Sequence, residues 1–200
     1  MRLPPVGAGQ TLVGVVVPVP EPVRGELHRA RLRFGDPEAV NIVPHVTLVG
    51  PTPVPEERLA EVDAHLEEVV ARHRTFEVVL QGARTFRPVS PVVYVALEHG
   101  ATQCARLEAE LRSGPLEVES QFPYHPHVTV AHDLDEEALD VAQDVMSGYS
   151  ARFGVTHVER FVHDGVRWCP VRRFALSGVA AGRSAVPGSD GADAAVVPRT

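Results

Sequence analysis

A five-residue phrase occurs twice in this 200-residue chain, as Pro44-His45-Val46-Thr47-Leu48 and as Pro126-His127-Val128-Thr129-Val130. Residues two apart on an extended strand share a face. Each copy therefore projects an imidazole and a hydroxyl to one side and aliphatic side chains to the other. With ten histidines in the chain, a single H-x-T triplet would be unremarkable. His73-Arg74-Thr75 shows what such background looks like, with no preceding proline and a charged centre. The two full copies differ from it in both respects, so the fold has to accommodate two equivalent strands.

The repeat extends beyond the phrase. Val13 to Val19 reads as a strand, and Val23, Leu27, Ala30 and Phe34 follow at helical spacing before Gly35 offers a stop. After the first motif strand, Pro55 and two glutamates open a helix with Leu59, Val62, Leu66 and Val69 on one face. Phe76, Val78 and Leu80 then alternate as a strand. The second half repeats this order: a strand from Val92 to Leu97, then a helix through Cys104, Leu107 and Leu111 ended by Gly114-Pro115. The second motif strand and an acidic-headed helix from Asp135 to about Met146 come next. Strands Phe153 to His163 and Val166 to Leu176 flank Asp164-Gly165, which predicts a two-residue hairpin turn.

Hairpin signals and half-polar strands favour antiparallel sheets with helices packed outside over a doubly wound parallel sheet. The expected class is α+β, bilobal, with two similar lobes around a central cleft and the two motif strands facing one another. Residues 1–179 form one such domain, with internal repeats at about 10–90 and 91–178. From about 180 to 200 the chain is Gly, Ala, Ser, Asp and Pro without periodicity, and a disordered tail is expected.

A formal charge of −7 argues against a protein that grips nucleic acid by neutralising many phosphates. The two cysteines, Cys104 and Cys169, match neither a zinc spacing nor a disulfide framework, which fits a reducing compartment. Leu12 to Val19 is too short and too interrupted for a signal-peptide core, and no segment reaches the length of a membrane span. A cytoplasmic monomer is expected.

Opening a cyclic phosphodiester requires a base that takes a proton from water and an acid that protonates the departing ribose oxygen. Histidine suits both tasks near neutral pH. Threonine hydroxyls beside the imidazoles can donate to the non-bridging oxygens. His45 and His127 are thus the candidate catalytic pair and Thr47 and Thr129 the candidate phosphate ligands, with no cofactor or metal required.

At these residues the chain resembles the two-histidine (2H) phosphoesterase superfamily, and within it the bacterial 2′-5′ RNA ligases and RNA 2′,3′-cyclic phosphodiesterases. That group is defined by two H-x-T-x motifs, here 82 residues apart (45 to 127). The resemblance covers about residues 10 to 178. It implies a bilobal fold, hydrolysis of terminal 2′,3′-cyclic phosphates to 2′-phosphates, and in some members reversible 2′-5′ ligation. It also implies His45 as proton donor and His127 as acceptor. Phe86 and Arg87 resemble positions at the cleft mouth, the ring stacking on a base and the guanidinium meeting a phosphate. Tyr124 is a further stacking candidate, and Trp168 is expected in the core of the last hairpin.

Other readings stand beside this one. His125, His127 and His132, with His157 and His163 downstream, could hold a metal, although nothing near His45 corresponds to them. The cleft could also bind a nucleotide without turnover. Within the enzyme reading, the partner is an RNA or oligonucleotide end, or a nucleotide-sized cyclic phosphate such as one derived from ADP-ribose.

Overall fold

The computed structural model describes residues 3–118 and 122–178; the expected tail lies outside them. Strand β1 (Gln10–Pro18) leads to helix α1 (Val23–Phe34), strand β2 (His45–Pro55), helix α2 (Leu59–Arg72) and strand β3 (Phe76–Thr85). The second half runs β4 (Val92–His99), α3 (Ala101–Leu111), β5 (His127–His132), α4 (Glu136–Met146), β6 (Ser150–Val155), β7 (His157–His163) and β8 (Trp168–Ala175). Helix ends follow local chemistry. Gly35 adopts a left-handed φ of 79° and closes α1 through its backbone N–H. Asp135 caps α4 by accepting from the Ala138 N–H at 2.8 Å, ahead of Glu136 and Glu137 in the first turn.

The strands form two four-stranded antiparallel sheets, ordered β2-β1-β7-β8 and β5-β4-β3-β6. The expected bilobal α+β architecture is present, but the lobes do not coincide with the halves of the sequence. Strand β3 of the first half completes the second sheet, and β7 and β8 of the second half complete the first. Helices cross over as well. Helix α1 packs against β5 and β6 of the second sheet, and α3 against β2 of the first. Each helix inserts at least one wholly buried leucine: Leu27, Leu66, Leu107 together with Leu111, and Leu139. Such burial contributes about 2 kcal/mol per side chain relative to exposure.

Two turns of the sequence reading are corrected. Residues 153 to 163 are two strands in different sheets, because the buried positions change parity, from Phe153 and Val155 to Val158 and Arg160, across Thr156. The chain also turns between β7 and β8 over Asp164 to Arg167 rather than two residues. Asp164 accepts from the Val166 and Arg167 N–H groups, both at 2.9 Å, and so replaces a tighter turn. Cys104 is fully buried, which pushes its thiol up to about 12. Among the described residues no helix is long and apolar enough to cross a membrane.

The correspondence of the two motif strands reaches their irregularities. Pairing along β1 steps from Val15↔Val49 to Val16↔Thr47, leaving Leu48 as the extra residue of β2. Along β4 it steps from Val93↔Ala131 to Tyr94↔Thr129, leaving Val130 as the extra residue of β5. Leu48 and Val130 are the fourth residues of the two motifs, and both are buried. A bulge bends its strand and re-aims the neighbouring side chains. Both motifs therefore end on the same local bend.

Candidate active site

The motif strands β2 and β5 are edge strands of the two sheets and approach one another across the cleft. His45 and His127 are their first residues. Each ring is held in the same way, with Nδ1 of His45 2.7 Å from the Val43 carbonyl and Nδ1 of His127 2.7 Å from the His125 carbonyl. A carbonyl only accepts, so Nδ1–H donates and the neutral ring presents a bare Nε2. On His45 that Nε2 accepts from the Thr47 hydroxyl at 3.1 Å. Two imidazoles of one tautomer, on facing edges, are what the duplicated phrase encodes.

Their environment disfavours the protonated forms. Burial is the largest influence on His45, and the positive charges of Arg31 and His127 add to it against the opposing Val43 bond, bringing the ring down to about 4. Burial also holds His127 below its ordinary value, against the His125 carbonyl bond and with His125 adding to the shift. An anion brought beside the rings would oppose this by stabilising an imidazolium.

Around His127 lies an aromatic floor. Phe86 stacks on Tyr94 with centroids 4.2 Å apart, and both meet the His127 ring edge-on at 4.9 and 5.2 Å. Phe86 is thus in contact with one of the motif histidines. Tyr124, the further stacking candidate, is half-buried. Its hydroxyl donates to the Thr47 carbonyl at 2.9 Å, and its ring packs against the core. The bond satisfies a backbone acceptor on the open edge of β2 and ties the approach to the second motif onto the first.

Arg87, the candidate phosphate partner, is engaged by α4. Its guanidinium lies 2.7 Å from a Glu136 carboxylate oxygen, 2.8 Å from Asp140 and 3.2 Å from Gln143 Oε1, and its Nε donates to Thr85 Oγ1 at 3.1 Å. The acidic head of α4 explains the capture. Thr129 pairs with Tyr94 across β5 and β4 and so faces the same side as the aromatic floor.

The histidines considered for a metal are dispersed among other partners. His132 Nδ1 lies 3.0 Å from Asp36, His157 Nε2 3.5 Å from Glu159, and His163 meets Trp168 edge-on at 5.2 Å. Among the described residues no three His, Cys, Asp or Glu side chains converge as a metal site. Beside His45 a cavity of about 230 Å³ opens, with Pro18, Arg24, His157, Phe161 and Arg173 on its walls.

Sequence reasoning missed the support behind His45. Arg31 is buried; it donates to Asp36 at 2.9 Å and to the Ile42 carbonyl at 2.6 Å. That anchors the loop whose next carbonyl, on Val43, orients His45. A signal existed, because Arg31 stands four residues after Leu27 on the apolar stripe of α1, where a cation needs a partner.

The sequence profile of the 2′-5′ RNA ligase superfamily matches residues 19–167. An Oceanobacillus iheyensis protein named "Putative phosphoesterase OB1230" is 27% identical over 82% of this chain and 96% of its own length. A Bacillus licheniformis relative, likewise named a phosphoesterase, reaches 34% over 53% of this chain and 63% of its own. Among solved structures, E. coli LigT complexed with 3′-AMP superimposes with a TM-score of 0.67 at 22% identity, covering 84% of this chain and 99% of that one. The Thermus thermophilus protein TT0787 gives 0.60 at 18%, covering 84% of this chain and all of the other. A family profile spanning both motifs, together with this shared fold, places the chain in the 2′-5′ RNA ligase superfamily of two-histidine phosphoesterases.

Proposed function

We propose that the protein hydrolyses 2′,3′-cyclic phosphate ends of RNA or short oligonucleotides to 2′-phosphates, without a metal ion, using His45 and His127. The observation that carries this reading is the matched pair of imidazoles, each with Nδ1 held by the carbonyl two residues before it and Nε2 left for chemistry. One neutral Nε2 takes a proton from water as the water oxygen bonds to phosphorus. The other, as imidazolium, gives its proton to the ribose 3′ oxygen as the phosphorus–O3′ bond breaks. Thr47 and Thr129 donate to the non-bridging oxygens, where charge grows in the transition state. Assigning the proton donor to His45, as the family resemblance implies, requires substrate phosphate to offset the burial and the Arg31 charge that hold its proton affinity down. With a ribose 5′-hydroxyl in place of water, the same steps form a 2′-5′ linkage. The solved complex of LigT with 3′-AMP supports a nucleotide-sized ligand for a cleft of this shape.

The test is turnover, in EDTA, of a short RNA ending in a 2′,3′-cyclic phosphate. The intact protein is expected to yield a 2′-phosphate, and His45→Ala and His127→Ala each to lose about a hundredfold or more in rate. Unchanged turnover in either variant refutes the two-histidine mechanism, and an intact protein that binds the end without converting it returns the cleft to a binding role.

A further inference from the structure

The two sheets correspond strand for strand, so the places where the correspondence fails show what each lobe is specialised for. From each motif threonine a row of cross-strand neighbours runs over the cleft face. In the first sheet the row is Thr47, Val16 and Glu159. In the second it is Thr129, Tyr94 and Arg84. The equivalent third positions thus carry opposite charges. Glu159 is already occupied by Arg173, whose Nη2 lies 2.9 Å away, and by His157. Arg84 is exposed and makes no hydrogen bond or ion pair among the described residues.

Other described arginines, Arg33 among them, also lack such a partner; Arg84 is set apart by its place in the row that starts at Thr129. Its neighbour Arg87 is consumed by α4. Arg84 shares a face with Tyr94, whose ring touches His127, and its charge is felt at the Tyr94 hydroxyl. Two interstrand spacings, about 10 Å, separate the backbone of Thr129 from that of Arg84, and an arginine side chain reaches back over part of that distance. Between them lies Tyr94, itself buried at 4% exposure, with the half-buried ring of Phe86 stacked on it. The row reads as phosphate donor, flat hydrophobic floor, free guanidinium.

We propose that Arg84 forms a second phosphate subsite, which takes a phosphate group one nucleoside away from the phosphate held between His45 and His127. The nucleoside lies over Phe86, which Tyr94 backs from beneath, and the second phosphate meets the guanidinium in a charge-assisted pair. The inference deepens the proposed function by defining its substrate class: ligands with two phosphates separated by a nucleoside are preferred to a lone cyclic nucleotide. The second phosphate can be the internucleotide diester of an RNA end or the 5′-phosphate of a free nucleotide, since both present the same anionic oxygens.

Binding and turnover test this separately. Calorimetry with adenosine 2′-phosphate and with adenosine 2′,5′-bisphosphate is expected to show the bisphosphate binding about tenfold more tightly to the intact protein, the scale of one hydrogen-bonded charge pair. Arg84→Gln should remove that advantage while leaving the monophosphate affinity within twofold. Arg84→Lys should keep part of it, and Arg33→Gln, which removes an exposed charge from α1, should keep all of it. A dinucleotide carrying a terminal 2′-phosphate separates the sources. A preference for the dinucleotide that Arg84→Gln abolishes assigns the subsite to RNA, and a preference confined to the bisphosphate assigns it to free nucleotides. Equal affinity for mono- and bisphosphate in the intact protein, or an advantage that survives Arg84→Gln, overturns the proposal. Because binding is read without chemistry, failed turnover of cyclic ends would count against the proposed function and leave this result standing or falling on its own.

Discussion

At the scale of single residues, the site is defined by what holds each imidazole. Two carbonyls, of Val43 and His125, fix the tautomers, and Arg31 fixes the loop that carries the first of them. The protonation states have a consequence for rate. The proposed hydrolysis would need one proton on the histidine pair, and kcat/KM reports the free enzyme. Below the lower apparent value both rings are charged and the base is lost; above the higher one both are neutral and the acid is lost. His45 is held at about 4 and His127 below the ordinary 6.5, chiefly by burial, and the values observed belong to the coupled pair. The expected profile of kcat/KM against pH is a bell with its maximum on the acid side of 6.5, already falling through neutrality. A plateau extending above pH 7.5 would contradict the environments described. The placement of the motif side chains was readable in advance, because H-x-T at strand spacing fixes which of them sit together. The carbonyl tethers were not readable, since they depend on how Val43 and His125 turn into their strands.

At the scale of elements, the legible parts were those in which one periodicity ran unbroken. Helix α1 with its Gly35 stop and α4 with its acidic head match the expected positions, as do the motif strands. The segment from Phe153 to His163 misled because β-rich composition continued across Thr156 while the buried parity changed. The contacts of Arg87 were illegible for another reason: its partners, Glu136, Asp140 and Gln143, come from a helix some fifty residues away, and no local pattern announces them. The structure gives Arg87 a latch role between the β3–β4 turn and α4. Guanidinium bonds to carboxylates contribute about 1.5–3 kcal/mol when shielded. Here Glu136 and Asp140 are largely exposed, which brings the contribution down toward the small one of a surface ion pair. Arg87→Met is expected to lower the urea midpoint slightly and to leave KM for a short oligonucleotide within threefold. A tenfold rise in KM with unchanged stability would restore the phosphate-binding role that the sequence suggested.

At the scale of the whole molecule, the interleaving of the two halves makes the lobes interdependent. Strand β3, helix α1, helix α3 and the β7–β8 hairpin each lie in the lobe opposite to the rest of their half, so neither half carries a complete sheet with its covering helices. A buried polar cluster fastens this arrangement near the site. Asp36 follows α1, its side chain is fully buried, and it accepts from Arg31 at 2.9 Å and from the Glu38 N–H at 3.0 Å; His132, at the end of the second motif strand, lies 3.0 Å from its other side. Burial alone would raise the Asp36 carboxyl, but the His132 and Arg31 contacts outweigh it and hold the group below its ordinary 3.8. A carboxylate depressed in the folded state contributes stability above its unfolded value and loses it as pH falls through the folded one. Asp36→Asn removes the charge while keeping the shape, leaving Arg31 buried without its counter-ion, which costs about 3–5 kcal/mol. Urea denaturation at pH 7 should show that loss. The difference between the two proteins should then narrow as pH falls below about 3.8, because protonating Asp36 in the intact protein removes the same charge. A variant within 1 kcal/mol of the intact protein at pH 7, or a gap that stays constant into acid, would mean that the apolar packing between the interleaved halves joins the lobes and the cluster contributes only orientation to the loop before His45.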